Sequence, residues 1–416
     1  MIRILPLTGS EELLRNRGAR LEEAESTVRP ILEDVERRGD AALHDYARRF
    51  DDFTGASFAA EPKQLSRAAD SVTPEFREAI LKASANIRAF AQHQLPISQT
   101  REIAPGIAAG QIVIPLNTAV AYIPAGRYPL PSTVMMTTIP AQVAGVKQIC
   151  VTSPRAVDEI DATAHLLGIS KVFRLGGAHA IAAFAFGTET IPRADRIVGP
   201  GNIYVAAAKR LLAGRVGIDF VAGPTEILII SDDGNPRDLA ADMLAQAEHD
   251  VESSAILLTT SRTLAEQVAA EASRQLVTLP TRKVAEAAIS HNSAIILVDR
   301  LEQAVEFSNR FAPEHLSIHD ESLIPSITCA GSIFIGPFSP EAAGDYASGP
   351  NHVLPTSGHA RFRGGLSTAD FVKVISVQRL TREGLASLGP TVTTLARAEG
   401  LEAHARSVEC RLEATA

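Results

Sequence analysis

The chain has few features of a secreted, membrane-bound or nucleic-acid-binding protein. Its three cysteines, Cys150, Cys329 and Cys410, are far apart and odd in number, so no disulfide framework is expected and a reducing cytoplasm is favoured. No apolar run approaches the ~20 residues that cross a bilayer, and residues 1–10, which include Pro6, do not resemble a secretory signal. Acidic and basic residues are well mixed at a net charge of −8, so the clustered basic surface that nucleic acid requires is lacking.

The remaining composition is that of a globular protein with at least two domains. The 416 residues are 45% hydrophobic and 21% charged, close to average usage. Between residues 11 and 94, apolar side chains recur at helical spacing among Glu and Arg, which predicts a helical scaffold.

From about Thr118, short β-rich runs alternate with Ala-rich helical stretches, and the alternation begins again after Gly223. This pattern is typical of βα units that form parallel sheets with helices on both faces. Two such blocks predict two related α/β domains, with a cleft that suits a dinucleotide and a substrate. From about Thr368 the spacing is helical again, which predicts a small C-terminal helical unit.

Three glycine-rich turns follow predicted strands, at residues 123–126, 176–179 and 199–202. Such turns let backbone N–H groups approach a pyrophosphate. The full dinucleotide fingerprint is lacking, because Tyr204 stands where its third glycine belongs, and no acidic residue has the spacing of a ribose ligand. Ordinary tight turns therefore remain the alternative.

Seven of the eleven histidines follow residue 240, and several adjoin polar side chains. Gln246 and His249 are three residues apart on a predicted helix, which gives a metal half-site or, alternatively, a helix-surface pair. Glu314 and His315 follow a helix that Pro313 ends, so they are candidates for acid–base chemistry, with a capped helix end as the alternative. The polar run at residues 344–352 predicts a rigid binding loop.

Six segments together resemble the histidinol dehydrogenase family, and the similarity extends over nearly the whole chain from about Arg29. They are Gly-Thr-Glu-Thr-Ile-Pro (187–192), Val-Gly-Pro-Gly-Asn-Ile-Tyr (198–204), Ala-Gly-Pro-Thr-Glu (222–226), Gln-Ala-Glu-His (246–249), Ala-Pro-Glu-His-Leu (312–316) and Gly-Asp-Tyr-Ala-Ser-Gly-Pro-Asn-His-Val-Leu-Pro (344–355).

The resemblance implies an α/β fold of two tandem incomplete Rossmann-like domains with small helical N- and C-terminal units, in an intertwined homodimer. The implied boundaries are an arm at 1–25, a metal-binding and catalytic domain at 26–121 plus 223–366, an NAD-binding domain at 122–222 and a tail at 367–416.

The resemblance also implies the site residues. The family binds one Zn²⁺ per subunit, and its zinc ligands correspond to Gln246, His249, Asp345 and His404. The catalytic pair corresponds to Glu314 and His315, and the NAD⁺ contacts correspond to Tyr122, His179 and Asn202. The substrate contacts correspond to Thr225, Gln246, His249, His315, Asp345, Glu399 and His404. The implied reaction oxidises L-histidinol through the aldehyde to L-histidine with two NAD⁺, and the tail of one subunit completes the site of its partner.

Some residues depart from the family pattern. His179 replaces a usual Gln, Thr225 a usual Ser and Val251 a usual Pro, and Arg363 opens a segment that also differs. Thr225 and the Gly-Gly-Leu-Ser run occur in relatives that oxidise a sulfonated propanediol, which is therefore an alternative substrate. A catalytically silent zinc-binding homologue and a cysteine-based thiohemiacetal mechanism are further alternatives.

Overall fold

The computed structural model describes residues 2–15, 21–125, 128–221 and 223–413. These residues form two compact units. The large unit comprises Met1–Gln94 and Asn117–Phe371, and the small unit comprises Leu95–Leu116 and Val372–Ala416.

The strands, numbered in chain order, are β1 (Arg3–Pro6), β2 (Gln99–Ala104), β3 (Ile107–Pro115), β4 (Thr118–Tyr122), β5 (Gln148–Thr152), β6 (Lys171–Phe173), β7 (Arg196–Val198), β8 (Gly217–Ile218), β9 (Glu226–Ile230), β10 (Ser254–Thr259), β11 (Ala294–Leu297), β12 (His315–Ile318), β13 (Ser332–Ile335) and β14 (Val372–Leu380).

The helices are α1 (Glu11–Arg15), α2 (Leu21–Arg38), α3 (Asp40–Phe50), α4 (Pro62–Ser71), α5 (Pro74–His93), α6 (Pro131–Ala144), α7 (Asp158–Leu166), α8 (Gly177–Phe186), α9 (Ile203–Leu212), α10 (Pro236–Ala247), α11 (Arg262–Leu276), α12 (Arg282–His291), α13 (Leu301–Phe311), α14 (Glu341–Tyr346), α15 (Arg382–Ala398) and α16 (Glu402–Glu413). Within the described residues, none of them combines the length and the apolarity that a membrane span requires.

The large unit contains two parallel sheets. Sheet A has six strands in the order β1-β11-β10-β9-β12-β13, and sheet B has five in the order β6-β5-β4-β7-β8. Helices cover both sheets, and the prediction of an α/β fold with two βα blocks is confirmed.

The central strands are apolar throughout because both faces of each sheet are buried. All five residues of β9 are buried, and Ile227 and Leu228 belong to the two different cores on opposite faces of sheet A. Helix α8, which packs in the core beside sheet B, is buried at every residue from Ala178 to Ala185. Its many alanine side chains are small, so the helix packs closely against its neighbours.

Several elements begin and end where the sequence predicts. The βα alternation of the sequence predicts strands at residues 148–152, 196–198 and 226–230 and helices at 203–212 and 301–311. Strands β5, β7 and β9 and helices α9 and α13 have these bounds. Helix α10 ends earlier than predicted, at Ala247, so that His249 lies just beyond the helix. The predicted loop at 344–352 begins inside the short helix α14.

The small unit is an antiparallel sheet, β14-β3-β2, with helices α15 and α16. The predicted helical tail is confirmed for α15 and α16, but the nine-residue strand β14 precedes them and pairs with β3 from Val372↔Pro115 to Leu380↔Ile107. Residues 95–116 therefore form one compact unit with the tail. The sheet escaped prediction because β2 is exposed at every position and has no buried alternation.

Candidate active site

The candidate site lies in the large unit, where one edge of each parallel sheet contributes residues. Thr225 and Glu314 immediately precede the neighbouring strands β9 and β12, so they lie at the amino end of sheet A. Sheet B contributes residues that follow the carboxyl ends of β4 and β7. These two strands are adjacent, and the chain continues from them toward opposite edges of the sheet. In parallel sheets such a reversal point at the carboxyl edge is where ligands bind.

A cavity of about 200 Å³ joins these two edges. It is lined by Leu130, Ser132, Thr133, Pro200, Phe220, Gly223, Thr225, His249, Glu314, His315, Asp345, Tyr346, His352, Val353, Leu354 and Thr356. The lining includes acidic groups and imidazoles but, among the described residues, no lysine or arginine and no cysteine. The cavity therefore suits a cationic ligand better than an anionic one.

Glu314 is held at the junction between α13 and β12. Ala312 has a left-handed backbone (φ 51°) that ends α13, and Pro313 then directs the chain into the strand. A side chain on Gly331 would place its Cβ 2.5 Å from the Glu314 carbonyl oxygen, so this close approach requires glycine.

The Glu314 carboxylate is buried, yet it accepts two hydrogen bonds. The Thr225 hydroxyl donates to Oε2 at 2.5 Å, and the backbone N–H of Glu226 donates to the same atom at 3.0 Å. Burial raises the pKa of Glu314 to about 7, although these bonds and the charge of His315 favour the carboxylate. A carboxyl group with this pKa can gain or lose a proton near neutral pH.

One ring nitrogen of His315 is hydrogen-bonded to the backbone, and the other faces the Asp345 carboxylate. Because a carbonyl oxygen only accepts, Nδ1 donates to the backbone oxygen of Glu226 at 3.2 Å. Among the described residues Nε2 has no hydrogen-bond partner, and Asp345 Oδ1 lies 3.6 Å from it. Burial disfavours the imidazolium, but the surrounding carboxylates outweigh it and raise the pKa of His315 to about 10.

The two residues of the predicted metal half-site lie at the end of α10. Gln246 lies in the last turn of the helix and is fully buried, whereas His249 follows the helix and is partly exposed. The backbone N–H of His249 donates to the carbonyl oxygen of Gln246 at 3.4 Å, which keeps the two residues close. His249 Nε2 lies 3.8 Å from Asp345 Oδ2. The structure thus brings three of the four predicted metal ligands together.

Two residues of this cluster were missed by the sequence analysis. Glu341 is 3% exposed, and its Oε1 lies 3.7 Å from His315 Nδ1. His352 donates from Nδ1 to the backbone oxygen of Asp345 at 2.8 Å, while its Nε2 lies 3.2 Å from the Thr133 hydroxyl. Glu341 precedes Asp345 by four residues, a spacing that would have indicated a shared helix face had α14 been predicted.

The donor atoms of this cluster fit a divalent cation. His249, Glu341 and Asp345 each offer one ligand atom, and these atoms lie within 4.8 Å of one another. Imidazole nitrogen together with carboxylate and amide oxygens is a donor set that Zn²⁺ accepts. Burial raises the pKa of Glu341 well above its usual range, as expected for a carboxylate in need of a counter-charge.

The three predicted NAD⁺ contacts lie at the carboxyl edge of sheet B but differ in exposure. Tyr122 ends β4 and is 3% exposed, and His179 in α8 is 1% exposed. Asn202 is exposed, and its Oδ1 accepts from the backbone N–H groups of Tyr204 and Val205 at 3.1 Å, which caps α9.

The glycine turn before α8 is already occupied by groups of the same chain. The Asp51 carboxylate accepts from the N–H of Gly176 at 2.9 Å and lies 3.0 Å from Nε2 of His179. The N–H of Gly177 donates to the Tyr122 hydroxyl at 3.1 Å. These contacts favour the structural alternative for this turn, because a carboxylate occupies the place where a pyrophosphate would bind.

The turn at residues 199–202 is held differently. Lys209 and Asp219 form a buried ion pair at 2.6 Å that contacts both backbone groups of Gly199. Lys209 Nζ donates to the Gly199 carbonyl oxygen, and the Gly199 N–H donates to the Asp219 carboxylate. Gly199 has a φ of 110°, a conformation that favours glycine. Asn202, at the end of this turn, is exposed.

Glu399 and His404 belong to the small unit. Glu399 follows the last residue of α15, His404 lies in α16, and both are exposed. The cysteines lie outside the cavity lining, and burial raises the pKa of Cys150 to about 11, which disfavours a reactive thiolate.

Comparisons with known proteins agree with this geometry. The family model described as histidinol dehydrogenase matches residues 14–412. Histidinol dehydrogenase of Methanosarcina barkeri is 46% identical over 96% of this chain and 94% of its own, and that of Geobacillus kaustophilus is 45% identical over 99% of both chains. The crystal structure of histidinol dehydrogenase from Elizabethkingia anophelis has a TM-score of 0.95 at 39% identity, and covers 99% of this chain and 98% of its own. The chain therefore belongs to the histidinol dehydrogenase family of NAD-dependent oxidoreductases, as the resemblance in sequence predicted.

Proposed function

We propose that the chain oxidises L-histidinol to L-histidine through L-histidinal, with two molecules of NAD⁺ as hydride acceptors. The observation that carries the proposal is the convergence of Glu314 and His315 with His249 and Asp345 at one cavity, in a chain of this family. The zinc ion, when bound to these donors, supplies a positive charge that holds the nitrogen atoms of the substrate.

His315 is the proposed base for the alcohol proton. With Nδ1 donating to the Glu226 carbonyl, the neutral imidazole presents the lone pair of Nε2 to the cavity. Loss of the hydroxyl proton to Nε2 accompanies transfer of the carbinol hydride to NAD⁺, which yields the aldehyde and NADH.

Glu314 is the proposed base for the second oxidation. Its carboxylate removes a proton from water, the resulting hydroxide adds to the aldehyde carbon, and the imidazolium of His315 returns its proton to the aldehyde oxygen, which gives the hydrate. The hydrate then loses a hydroxyl proton to His315 and its hydride to a second NAD⁺, and the carboxylic acid that forms ionises to the carboxylate. A pKa of about 7 lets Glu314 accept this proton near neutral pH.

The cavity's charge favours histidinol over a sulfonated diol. Histidinol carries an amino group whose ammonium form is attracted by the acidic lining and whose neutral form offers a lone pair to the zinc ion, whereas a sulfonate would find no lysine or arginine among the described lining residues. Arg363 does not supply that charge, because its guanidinium stacks 4.9 Å from the Phe220 ring and lies 3.6 Å from Asp370.

A substrate comparison tests this function. With zinc-loaded protein and NAD⁺, L-histidinol is expected to yield two NADH per molecule, and the sulfonated propanediol is expected to yield NADH at least about a hundredfold more slowly, because a mispaired charge costs several kcal/mol. NADH formation is followed by absorbance. Turnover of the diol without turnover of histidinol would overturn the proposed substrate, and turnover of neither would indicate a silent homologue.

The remaining assignments are part of the same proposal. NAD⁺ binds at the carboxyl edge of sheet B with Tyr122, His179 and Asn202, in the domain at 122–222, while the domain at 26–121 plus 223–366 holds the metal and the catalytic pair. The protein works in the cytoplasm as a homodimer. The partner subunit's Glu399 and His404 complete each site.

Thr225 offers a prediction of its own, because its hydroxyl links Gln246 to Glu314. The hydroxyl oxygen lies 2.7 Å from the Gln246 amide and donates its proton to Glu314 at 2.5 Å. Thr225→Val removes the donor that stabilises the carboxylate, so the pKa of Glu314 rises. A hydrogen bond to a charged group contributes about 1.5–3 kcal/mol, which corresponds to an upward shift of about one to two pH units.

The measurement is the pH profile of histidinal oxidation, whose acidic limb is expected to move to higher pH in Thr225→Val. Thr225→Ser keeps the hydroxyl and is the matched control, with an unchanged limb. Equal profiles for the valine and serine variants would show that the hydroxyl does not act on Glu314.

A further inference from the structure

Sheet B has the strand order of a dinucleotide-binding sheet. The chain passes from β4 through β5 to β6 toward one edge, and then from β7 to β8 toward the other edge. In sheets of this order the dinucleotide lies across the carboxyl ends of the strands, and an acidic residue beyond the first turn binds the 2′-hydroxyl of the adenosine ribose. In sheet B, that acidic residue is expected beside the carboxyl ends of β5 and β6.

The two strands do not supply this acid themselves. The residues that follow β5 are Ser-Pro-Arg (153–155), and those that follow β6 are Arg-Leu-Gly (174–176). A carboxylate reaches the same place from another element, because Asp51 directly follows helix α3 and accepts from the N–H of Gly176 at 2.9 Å. A Cβ on Gly176 would lie 2.9 Å from Asp51 Oδ1 and 2.6 Å from the Cβ of Pro154. Asp51 therefore lies against the turns that follow both strands.

The Asp51 carboxylate has capacity for a further hydrogen bond. Its Oδ2 accepts from the N–H of Gly176 and from Nε2 of His179, since a carboxylate only accepts. Among the described residues, no group donates to Oδ1, although each oxygen of a carboxylate can accept about two hydrogen bonds. The residue is partly exposed and its side chain is 6% exposed, so a contact from solvent is limited to a small group such as a hydroxyl.

The charge of Asp51 is not neutralised by a permanent cation. Among the described residues, its ion-pair partner is His179, which is charged only when it is protonated. The arginines of the two neighbouring turns have other partners, because Arg174 pairs with Asp161 at 2.5 Å and Arg155 donates to a backbone carbonyl at 2.7 Å. At this position a ribose 2′-hydroxyl can donate to the carboxylate, whereas a 2′-phosphate would be repelled by it.

An exposed aromatic ring lies next to this carboxylate. Phe50 precedes Asp51 in the chain and is 50% exposed. Its ring centroid lies 6.2 Å from that of His179 and 6.0 Å from that of Tyr46, and the Arg49 guanidinium lies over it at 5.0 Å. Purine bases stack on aromatic rings and on guanidinium groups. A surface for the adenine base thus adjoins the acid that would bind its ribose.

We propose that Asp51 binds the 2′-hydroxyl of the adenosine ribose of NAD⁺ and thereby makes the chain discriminate against NADP⁺. The inference rests on the NAD⁺ site of the proposed function and adds a residue that determines its specificity. It also accounts for the missing acidic residue of the dinucleotide fingerprint, because Asp51 follows α3 and precedes the whole of sheet B in the chain.

Equilibrium binding of reduced nucleotides tests the proposal without turnover. NADH and NADPH differ only in the 2′-phosphate, and the fluorescence of the nicotinamide ring reports the binding of each to the full-length protein. The unchanged protein is expected to bind NADH at least about a hundredfold more tightly than NADPH, because two like charges are brought together in the NADPH complex. Asp51→Asn is expected to reduce this preference at least about tenfold, since it weakens the bond to the hydroxyl and removes the repulsion of the phosphate.

Three further variants separate the ribose contact from other effects. Asp52→Asn removes the same charge from the next residue, which is exposed and has a left-handed backbone (φ 53°) that asparagine tolerates, so the preference should not change. Phe50→Ala should weaken NADH and NADPH by the same factor, because both carry the same base. Asp51→Ser can still accept from the N–H of Gly176, and it should reduce the preference in the same direction as Asp51→Asn.

The possible outcomes distinguish this inference from the proposed function. Equal weakening of NADH and NADPH in Asp51→Asn would overturn the inference, because Asp51 would then only position His179 and Gly176. Equal affinity of the unchanged protein for the two nucleotides would also overturn it, and that measurement needs no variant. In both cases the proposed function stands if histidinol yields NADH. If the unchanged protein bound neither nucleotide, the inference and the proposed NAD⁺ site would both be wrong.

Discussion

Replacing Glu314 with glutamine is expected to slow the oxidation of histidinal by about 10²–10⁴-fold, the usual contribution of a general base, while the oxidation of histidinol changes much less. Glutamine keeps the shape of the side chain and can accept from the Thr225 hydroxyl and the Glu226 N–H, so the site stays assembled. It has no carboxylate to remove a proton from water, and only the second oxidation requires that water.

The same residue sets the pH dependence of the second oxidation. Burial raises the pKa of Glu314 to about 7, and a base acts only when it is deprotonated. The rate of histidinal oxidation should therefore rise with pH through about 7 and level off above it. In Glu314→Gln this rise should disappear, since the titrating group is gone.

Single-turnover experiments with histidinol and histidinal, each with excess NAD⁺, separate the two steps. Glu314→Gln should release one NADH per histidinol at a nearly normal rate and then accumulate the aldehyde. Glu321→Gln, whose side chain is exposed, is the control for the change from glutamate to glutamine. Equal slowing of both steps would refute the assignment of Glu314 to water activation.

The βα alternation was enough to predict the α/β architecture, because buried parallel strands are apolar along their whole length and punctuated by Ala-rich helices. Strand β9, which is buried at all five residues, is such a case. The antiparallel sheet of the small unit was missed for the opposite reason. Strand β14 is exposed at most positions, so its apolar residues do not mark a buried face.

The candidate site was predictable only in part, because its contacts join residues far apart in sequence. Thr225 and Glu314 meet because β9 and β12 are neighbours in sheet A, and no local pattern reveals that pairing. Nor does a local pattern show that the catalytic pair lies at the amino end of its sheet, since the usual expectation for parallel sheets is the carboxyl end. Asp51 illustrates the same limit, because it reaches His179 across 128 residues.

Glu341 shows how a wrong local prediction hides a site residue. The polar run after residue 344 predicts a loop, yet α14 covers Glu341–Tyr346. With a loop assumed, Glu341 lies outside the motif; on a helix it shares a face with Asp345. Helices this short carry too little periodicity to be recognised from sequence.

His315→Asn is expected to slow both oxidations by similar factors of about 10²–10⁴, in contrast to the selective effect at Glu314. Both steps remove a hydroxyl proton, first from the alcohol and then from the hydrated aldehyde, and His315 Nε2 is the proposed acceptor in each. Asparagine can still donate a hydrogen bond to the Glu226 carbonyl in place of Nδ1, but it cannot take up the proton.

The pH dependence of this base is tied to its carboxylate neighbours. The carboxylates of Glu341, Glu314 and Asp345 raise the pKa of His315 to about 10, which leaves the imidazole protonated at neutral pH and unable to act as a base. A divalent cation bound beside these carboxylates would offset their charge, so the pKa of His315 would fall and the neutral imidazole that removes the proton would form at lower pH. The alkaline shift of activity should consequently be largest in preparations with the least bound metal.

The matched control for His315→Asn is His319→Asn, at the other end of the same strand. His319 follows β12, is partly buried and lies 3.0 Å from the Ser231 hydroxyl, away from the cavity lining. Its replacement should leave both rates within a few-fold of normal. If His315→Asn slowed the alcohol step alone, a different group would have to deprotonate the hydrate, and the acidic neighbour Glu314 would then carry two proton transfers in the second step.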